Sequence, residues 1–317
     1  MKATTVITKC RSSVIAFLLF LMLLLGGCAK NEMKPADSAF IFDVQLISEK
    51  VYWLGKSDGT YELFRRDTDG EKSIKSFIGA TSILVYCEKS ACYIFADDGG
   101  LSAYYPETES TTKICDLQAK ALLCATDDYV LASAESGDYR IKIGDGSKQR
   151  VENMPDTGMH VLDIYGNVIL VWDANQNAIL RYDCDSDSVS PIWSSARDPG
   201  IVMVTGLMYN DSFYYAESRG GLHRVSFEDE NASDTQVIKG FVIALARTDN
   251  GMLVAVNKDS DIAFCLFSDE GELTEMTVWR GAHYIVNGSC LLRVTGNEVI
   301  CAVMSESKIF EYEIANY

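Results

Sequence analysis

From residue 39 onward, short apolar runs alternate with polar turns. The run Val51-Tyr-Trp-Leu-Gly is followed by a turn that ends in Asp-Gly and then by a second run, Tyr61-Glu-Leu-Phe-Arg. Runs rich in Val, Ile, Tyr and Phe between such turns are typical of β-hairpins. No stretch after residue 40 keeps an apolar period of 3.6 residues over three turns, so the pattern predicts an all-β chain.

The hairpins form a longer repeat of four strands. Its third strand recurs about every 41 residues, the spacing of β-propeller blades. The marker positions in that strand are Leu63, Ala103, Ile141, Ile179, Leu222, Phe264 and Ile309. Seven copies fit residues 39–317, so the sequence predicts a seven-bladed β-propeller of four-stranded antiparallel blades, with six or eight blades as neighbouring possibilities.

The last copy can be divided into strands in two ways. In the first, runs beginning at Cys290, Val299 and Ile309 are its first three strands, and the fourth comes from the N-terminal segment or is absent. In the second, Tyr284-Ile-Val is the first strand and Ile309 begins the fourth. The turn Gly296-Asn297 matches turns in earlier copies under the first division, which is therefore favoured.

The N-terminus has the pattern of a secretory signal. Lys2, Lys9 and Arg11 precede the unbroken apolar run Val14–Leu25. A membrane-spanning helix needs about 20 apolar residues, so this run is too short to span comfortably and suits a signal peptide. The alternative is an uncleaved membrane helix.

The string Leu25-Gly-Gly-Cys28 resembles the lipobox of bacterial lipoproteins. In that family the cysteine receives a diacylglycerol and the chain is cut before it. The resemblance implies a signal peptide at 1–27, a lipidated Cys28 with a flexible tether over 28–38, and a propeller domain over 39–317. It places the protein on the extracytoplasmic face of the cell membrane, with the lipid bilayer as a partner.

The repeat at Tyr61–Gly70 resembles the TolB-like and uncharacterised surface-protein propellers of bacteria, whose blades carry similar aromatic strands and Asp-Gly turns. This resemblance implies a binding or scaffolding platform without defined catalytic residues. A net charge of −17 disfavours nucleic acid as a partner, because the surface repels phosphates. A protein or glycan partner at the cell surface is expected instead.

The sequence contains few residues that would support an enzymatic function. The chain has three histidines and no Gly-x-Ser-x-Gly elbow, His-Glu-x-x-His helix or dinucleotide fingerprint, so no catalytic residue and no cofactor is predicted. The alternative function is an extracytoplasmic glycan-active hydrolase or lyase, because abundant acids always offer carboxylate pairs.

The acidic turns and the cysteines favour structural roles. The turns lack the complete ligand pattern of a calcium loop, so no metal site is predicted. Cys87 and Cys92 flank a four-residue hairpin loop and form the one candidate disulfide. Most other cysteines lie within apolar runs and should be buried.

A ligand site, if present, is expected on one face of the ring. Resemblance to propellers implies that loops between second and third strands share a face with the crossings between blades. Arginines and aromatic residues near a concave mouth recognise carboxylates and sugars. The candidates are His160, Arg197, Arg219, Trp279, Arg280, His283 and Tyr284.

Overall fold

The computed structural model describes most of the chain after residue 30. The described residues are 31–33, 40–57, 59–67, 70–152, 160–173, 175–176, 178–194, 203–217, 220–226, 234–248, 251–259, 261–268, 270–280, 290–295, 298–303 and 308–313. Within them, the strands form seven four-stranded antiparallel sheets. None of these residues belongs to a helix long and apolar enough to cross a membrane.

Strand β1 (Asn31–Met33) is the first strand in the described part of the chain, and six sheets of four consecutive strands, called blades 1 to 6, follow it. Blade 1 contains β2 (Phe40–Ile47), β3 (Lys50–Ser57), β4 (Thr60–Asp67) and β5 (Gly70–Phe77). Blade 2 contains β6 (Val85–Cys87), β7 (Cys92–Asp97), β8 (Gly100–Tyr105) and β9 (Ser110–Cys115). Blade 3 contains β10 (Ala119–Ala125), β11 (Tyr129–Ala134), β12 (Gly137–Lys142) and β13 (Lys148–Arg150).

The second half of the ring repeats this arrangement. Blade 4 contains β14 (His160–Tyr165), β15 (Val168–Asp173), β16 (Ala178–Asp183) and β17 (Ser188–Ser194). Blade 5 contains β18 (Met203–Tyr209), β19 (Ser212–Glu217), β20 (Leu222–Ser226) and β21 (Asp234–Ile238). Blade 6 contains β22 (Phe241–Thr248), β23 (Gly251–Lys258), β24 (Asp261–Ser268) and β25 (Leu273–Trp279).

The seventh sheet, here called the closing sheet, combines both ends of the chain. Its first three strands are β26 (Cys290–Thr295), β27 (Glu298–Val303) and β28 (Lys308–Glu313). Strand β1 pairs antiparallel with β28 and supplies the fourth, with Asn31 opposite Glu311. The first of the two divisions of the last copy is therefore the one observed.

This arrangement corrects the blade count. The prediction of a seven-bladed propeller contained in residues 39–317 is wrong, because the described residues of that range form six complete blades and three strands of the closing sheet. The missing strand, Asn31–Met33, lies in the segment that the sequence assigns to the tether. Three residues are too few to show an apolar alternation, so a count of repeats cannot register them.

Apolar side chains fill the spaces between neighbouring sheets. The cluster between blade 6 and the closing sheet includes Phe264, Leu292 and Cys301. The cluster between the closing sheet and blade 1 includes Ile300 and Trp53. Similar clusters join each remaining pair of neighbours, so the core runs around the whole ring.

The order of strands within each sheet fixes two opposite faces. First strands of neighbouring sheets contact one another at several junctions, including β14 with β18 and β22 with β26, so first strands lie innermost. Since neighbouring strands run antiparallel, loops between second and third strands share one face with the crossings to the next sheet. We call this the upper face. Loops between first and second strands, and between third and fourth strands, form the lower face.

Candidate functional site

Three of the predicted ligand residues lie within the described part of the chain, and all three are at the upper face. His160 is exposed at the first position of β14. Neighbouring atoms partly desolvate its imidazole and lower its pKa. Arg280 directly follows β25 and is exposed. Trp279 is half-buried and packs against the cluster between blade 6 and the closing sheet, so part of its ring is committed to the fold.

The structure thus brings His160 and Arg280 to one face but on different blades, with blade 5 between them. The other candidates, Arg197, Arg219, His283 and Tyr284, lie outside the described residues. Ligand binding by this set stays a prediction.

A polar cluster at the upper end of blade 5 was not predicted. His223 Nδ1 lies 2.9 Å from Asp234 Oδ1, and the Tyr215 hydroxyl donates to Asp234 Oδ2 at 2.9 Å. On its other side, His223 Nε2 lies 3.5 Å from Glu217 Oε1. The rings of Tyr215 and His223 stack with centroids 5.1 Å apart. The hydrogen bond with Asp234 and the charges of both carboxylates raise the pKa of His223.

This cluster places the His223 imidazole between two carboxylates. Both oxygens of Asp234 already have partners within the protein, and the side chains of His223, Glu217 and Asp234 are each less than one-fifth exposed. The arrangement therefore stabilises the hairpin between β19 and β20. The sequence contained a signal for it, because the turn after Glu217 places Tyr215 opposite His223.

The inner strands carry a second set of polar groups that was not predicted. Asp163 on β14 pairs with Arg247 on β22 and accepts a hydrogen bond from the Met208 backbone amide at 2.8 Å. Arg247 Nε also donates to the Met208 carbonyl at 3.0 Å. Burial raises the pKa of Asp163, and the nearby guanidinium opposes that rise. These contacts connect blades 4, 5 and 6 at the centre of the ring.

A related group joins blade 1 to the closing sheet. Arg293 lies 3.5 Å from Asp43 and its Nε donates to the Gln45 side-chain oxygen at 3.3 Å, while Gln45 Nε2 donates to Asp43 at 2.9 Å. Burial raises the pKa of Asp43, against the opposing charge of Arg293. In both of these polar groups, the sequence feature that could have indicated the contact is an aspartate within a mainly apolar first strand. Because their charges are satisfied between strands, these groups stabilise the ring.

The candidate disulfide pair lies in register across β6 and β7. Cys87 is directly opposite Cys92, and both are buried as free thiols. The Cys87 thiol also donates to the Thr126 carbonyl of blade 3 at 3.3 Å. A hydrogen bond from Cys92 lowers the pKa of Cys87, whereas the same contact and burial raise that of Cys92. The geometry suits a bridge, and its formation stays a prediction.

The described residues include no group of three or more His, Cys, Asp and Glu side chains placed to hold a metal ion. Several acidic side chains bind the backbone of their own turns instead. Asp183 accepts from the amides of Asp185 and Ser186, and Asp173 accepts from that of Asn175. These contacts give the acids structural roles in the hairpins.

Comparisons with solved structures support the fold alone. The computationally designed Ika8 protein is 15% identical, with a TM-score of 0.55, over 86% of this chain and 83% of that one. The extracellular domain of a one-component system from B. thetaiotaomicron is 11% identical, with a TM-score of 0.58, over 90% of this chain and 40% of that one.

PorZ, a surface component of the type-IX secretion system of Porphyromonas gingivalis, is 11% identical, with a TM-score of 0.51, over 90% of this chain and 40% of that one. No family model and no curated protein matches the sequence. The chain therefore has a β-propeller fold, which the extracellular bacterial domains named above share.

Proposed function

We propose that this protein is a lipid-anchored, extracytoplasmic lipoprotein whose propeller is a non-catalytic binding or scaffolding module. The observation that carries the binding role is the upper face, where residues distant in the chain are exposed together. His160 and Arg280 are separated by 120 positions in the sequence, yet the strand order brings both to this face. An exposed guanidinium on a chain of net charge −17 suits recognition of an anionic group.

The polar clusters favour binding over catalysis. The carboxylates that flank His223 and Arg247 are engaged by protein donors, so they serve the fold. Catalysis by paired acids requires carboxylates that face a substrate across an open cleft. The signal pattern ending at Cys28 supports the location, since a diacylglycerol with a further acyl chain attaches a protein stably to a bilayer.

Metabolic labelling with a fatty-acid analogue tests the lipid. Cys28→Ala should abolish labelling and leave the precursor uncut, because this thiol is the only proposed attachment point. Cys10→Ala, which changes a cysteine inside the signal peptide, is the matched control and should label normally. Labelling that survives Cys28→Ala would refute the lipoprotein assignment.

A charge-matched pair of double variants tests the binding face. We expect Arg219→Ala with Arg280→Ala to weaken binding of polyglutamate or polygalacturonate by about tenfold or more, because truncating a desolvated hot-spot residue typically costs about 2 kcal/mol or more and about 1.4 kcal/mol corresponds to tenfold. Lys142→Ala with Arg181→Ala removes an exposed lysine and a half-buried arginine that is paired with Asp183, both toward the lower ends of third strands. If both pairs reduce binding equally, attraction is diffuse and the upper face is not the site.

A further inference from the structure

We propose that the lower face of the propeller lies toward the lipid bilayer and that the upper face is directed away from it. This inference rests on the proposed lipidation of Cys28 and adds the orientation of the anchored domain. It follows from the direction of one strand and from the length of chain before it.

The direction of β1 places the N-terminus at the lower face. Strand β28 is the third strand of its sheet, so it runs from the upper face to the lower face. Since β1 pairs antiparallel with β28, it runs upward, and Asn31 lies at its lower end opposite Glu311. Met33, opposite Ile309, lies closer to the upper face. The chain before Asn31 therefore leaves the ring on the lower side.

The remaining chain is too short to reverse this orientation. Only Ala29 and Lys30 separate Cys28 from Asn31, so the lipidated cysteine lies within about 10 Å of the lower end of β1. An eight-residue strand such as β5 spans about 23 Å between the two faces. A bilayer that holds the acyl chains of Cys28 is thus much closer to the lower loops than to the upper loops.

The lower face carries exposed lysines such as Lys72, Lys89 and Lys142, but exposed acids outnumber them in its loops, so the lipid is expected to be its only attachment. Exposed acids recur in its loops, and such groups are repelled by anionic headgroups. They include Glu49, Glu88, Glu107, Asp185, Asp211 and Glu270. The lower face is therefore expected to stand close to the bilayer without adsorbing to it. This leaves His160 and Arg280 pointing into the space where a soluble or surface-bound partner would arrive.

Fluorescence quenching in vesicles tests the orientation with labels near opposite ends of one strand. Lys72 is exposed near the lower end of β5, and Ile78, which is 84% exposed, follows its upper end. Lys72→Cys and Ile78→Cys are labelled in the full lipidated chain and reconstituted in phosphatidylcholine vesicles containing a nitroxide-headgroup lipid. The chain without an added cysteine gives the background from native thiols.

We expect the label at position 72 to be quenched at least about threefold more than the label at position 78, since about 20 Å of strand separates them. Equal quenching, or stronger quenching at position 78, would overturn the orientation. Mass spectrometry of Cys28 and co-sedimentation with the vesicles show independently whether the chain is lipidated and membrane-bound. A chain that carries no lipid would instead refute the proposed function. Cys28→Ala versions of both labelled chains should show no quenching by vesicles.

Discussion

At the scale of single residues, two sets of polar groups at the centre of the ring bridge different sheets. Asp163 and Arg247 are 84 positions apart, and Asp43 and Arg293 are 250 apart. A buried charge is costly unless a partner and hydrogen bonds compensate it. The sequence shows these acids within apolar runs, but it cannot show which distant cation reaches them, because that depends on which strands become neighbours at the centre.

The Cys87–Cys92 pair leads to a redox prediction. With oxidised glutathione as the disulfide oxidant, the Cys87 thiolate attacks a sulfur of glutathione, and Cys92 then displaces the glutathione thiol to close the bridge. Closing so short a loop should stabilise the fold by about 2 kcal/mol. Peptide mapping after alkylation should find this bridge, while the buried Cys124 and Cys265 remain alkylatable once unfolded. Exclusive bridging of other cysteines would contradict the prediction.

His223 gives a prediction about pH. Its pKa is raised in the folded state, so the protonated form stabilises the fold below the unfolded value near 6.5, and this contribution is lost as pH rises through the folded value. His223→Gln should therefore destabilise the protein at pH 5.5 by about 1.5–3 kcal/mol, the usual range for hydrogen bonds to charged groups, and less at pH 9.

Thermal melts at several pH values measure this difference. His160→Gln is the control, because His160 has a lowered pKa and should not show a loss of stability concentrated at acid pH. A His223→Gln penalty that is the same at every pH would show that the imidazole acts only through packing.

At the scale of elements, turn chemistry and alternation made most strands predictable. All seven marker positions lie in the third strands of their sheets, from Leu63 in β4 to Ile309 in β28. The favoured division of the last copy allowed the N-terminal segment to supply the fourth strand, and β1 does so. Its bounds could not be predicted, because three residues are too few to show an alternation. The His223 cluster also escaped, although the hairpin pairing that builds it can be read from the turn.

Two glycines at upper-face turns both have positive φ, but only one of them lies against other backbone atoms. Substituting each with alanine therefore distinguishes the cost of backbone strain from the cost of a steric clash. Gly100 has φ +115° and a Cβ added there would lie 2.3 Å from the Cys115 carbonyl oxygen. Gly59 has φ +83° and no atom within 4 Å of the corresponding position. Gly59→Ala should therefore cost only the strain of a left-handed residue, about 1–2 kcal/mol. Gly100→Ala should cost about 3 kcal/mol or more, since the backbone of β9 must also move.

Urea unfolding of the two variants measures these costs under identical conditions. The comparison is informative because both substitutions add one methyl group to a turn between second and third strands. Equal destabilisation would mean that the close approach between Gly100 and the end of β9 does not exist in solution.

At the scale of the whole molecule, the sequence predicted a ring of four-stranded sheets and left open whether the N-terminal segment supplies the last strand or that strand is absent. The period of about 41 residues reflects one sheet per repeat, and each sheet buries its faces against two neighbours. The last neighbour contact, between the closing sheet and blade 1, joins Ile300 and Ile309 to Ile41 and Trp53. Residues at opposite ends of the chain thus share one core.

Strand β1 therefore has a measurable role in closure. Deleting Asn31–Met33 removes the backbone hydrogen bonds that β1 makes with β28. At about 1 kcal/mol net per hydrogen bond, the free energy of unfolding should fall by roughly 1–3 kcal/mol. Cooperative unfolding should persist, because the apolar cluster between the closing sheet and blade 1 keeps Ile41, Trp53, Ile300 and Ile309 in the deleted chain. Replacing the same three residues with Ala-Ala-Ala keeps the backbone ladder and should lower the melting temperature far less. If the deletion and the alanine replacement melt alike, backbone pairing by β1 does not stabilise the ring, and the segment from Cys28 to Asn31 has no fixed point of departure from the lower face.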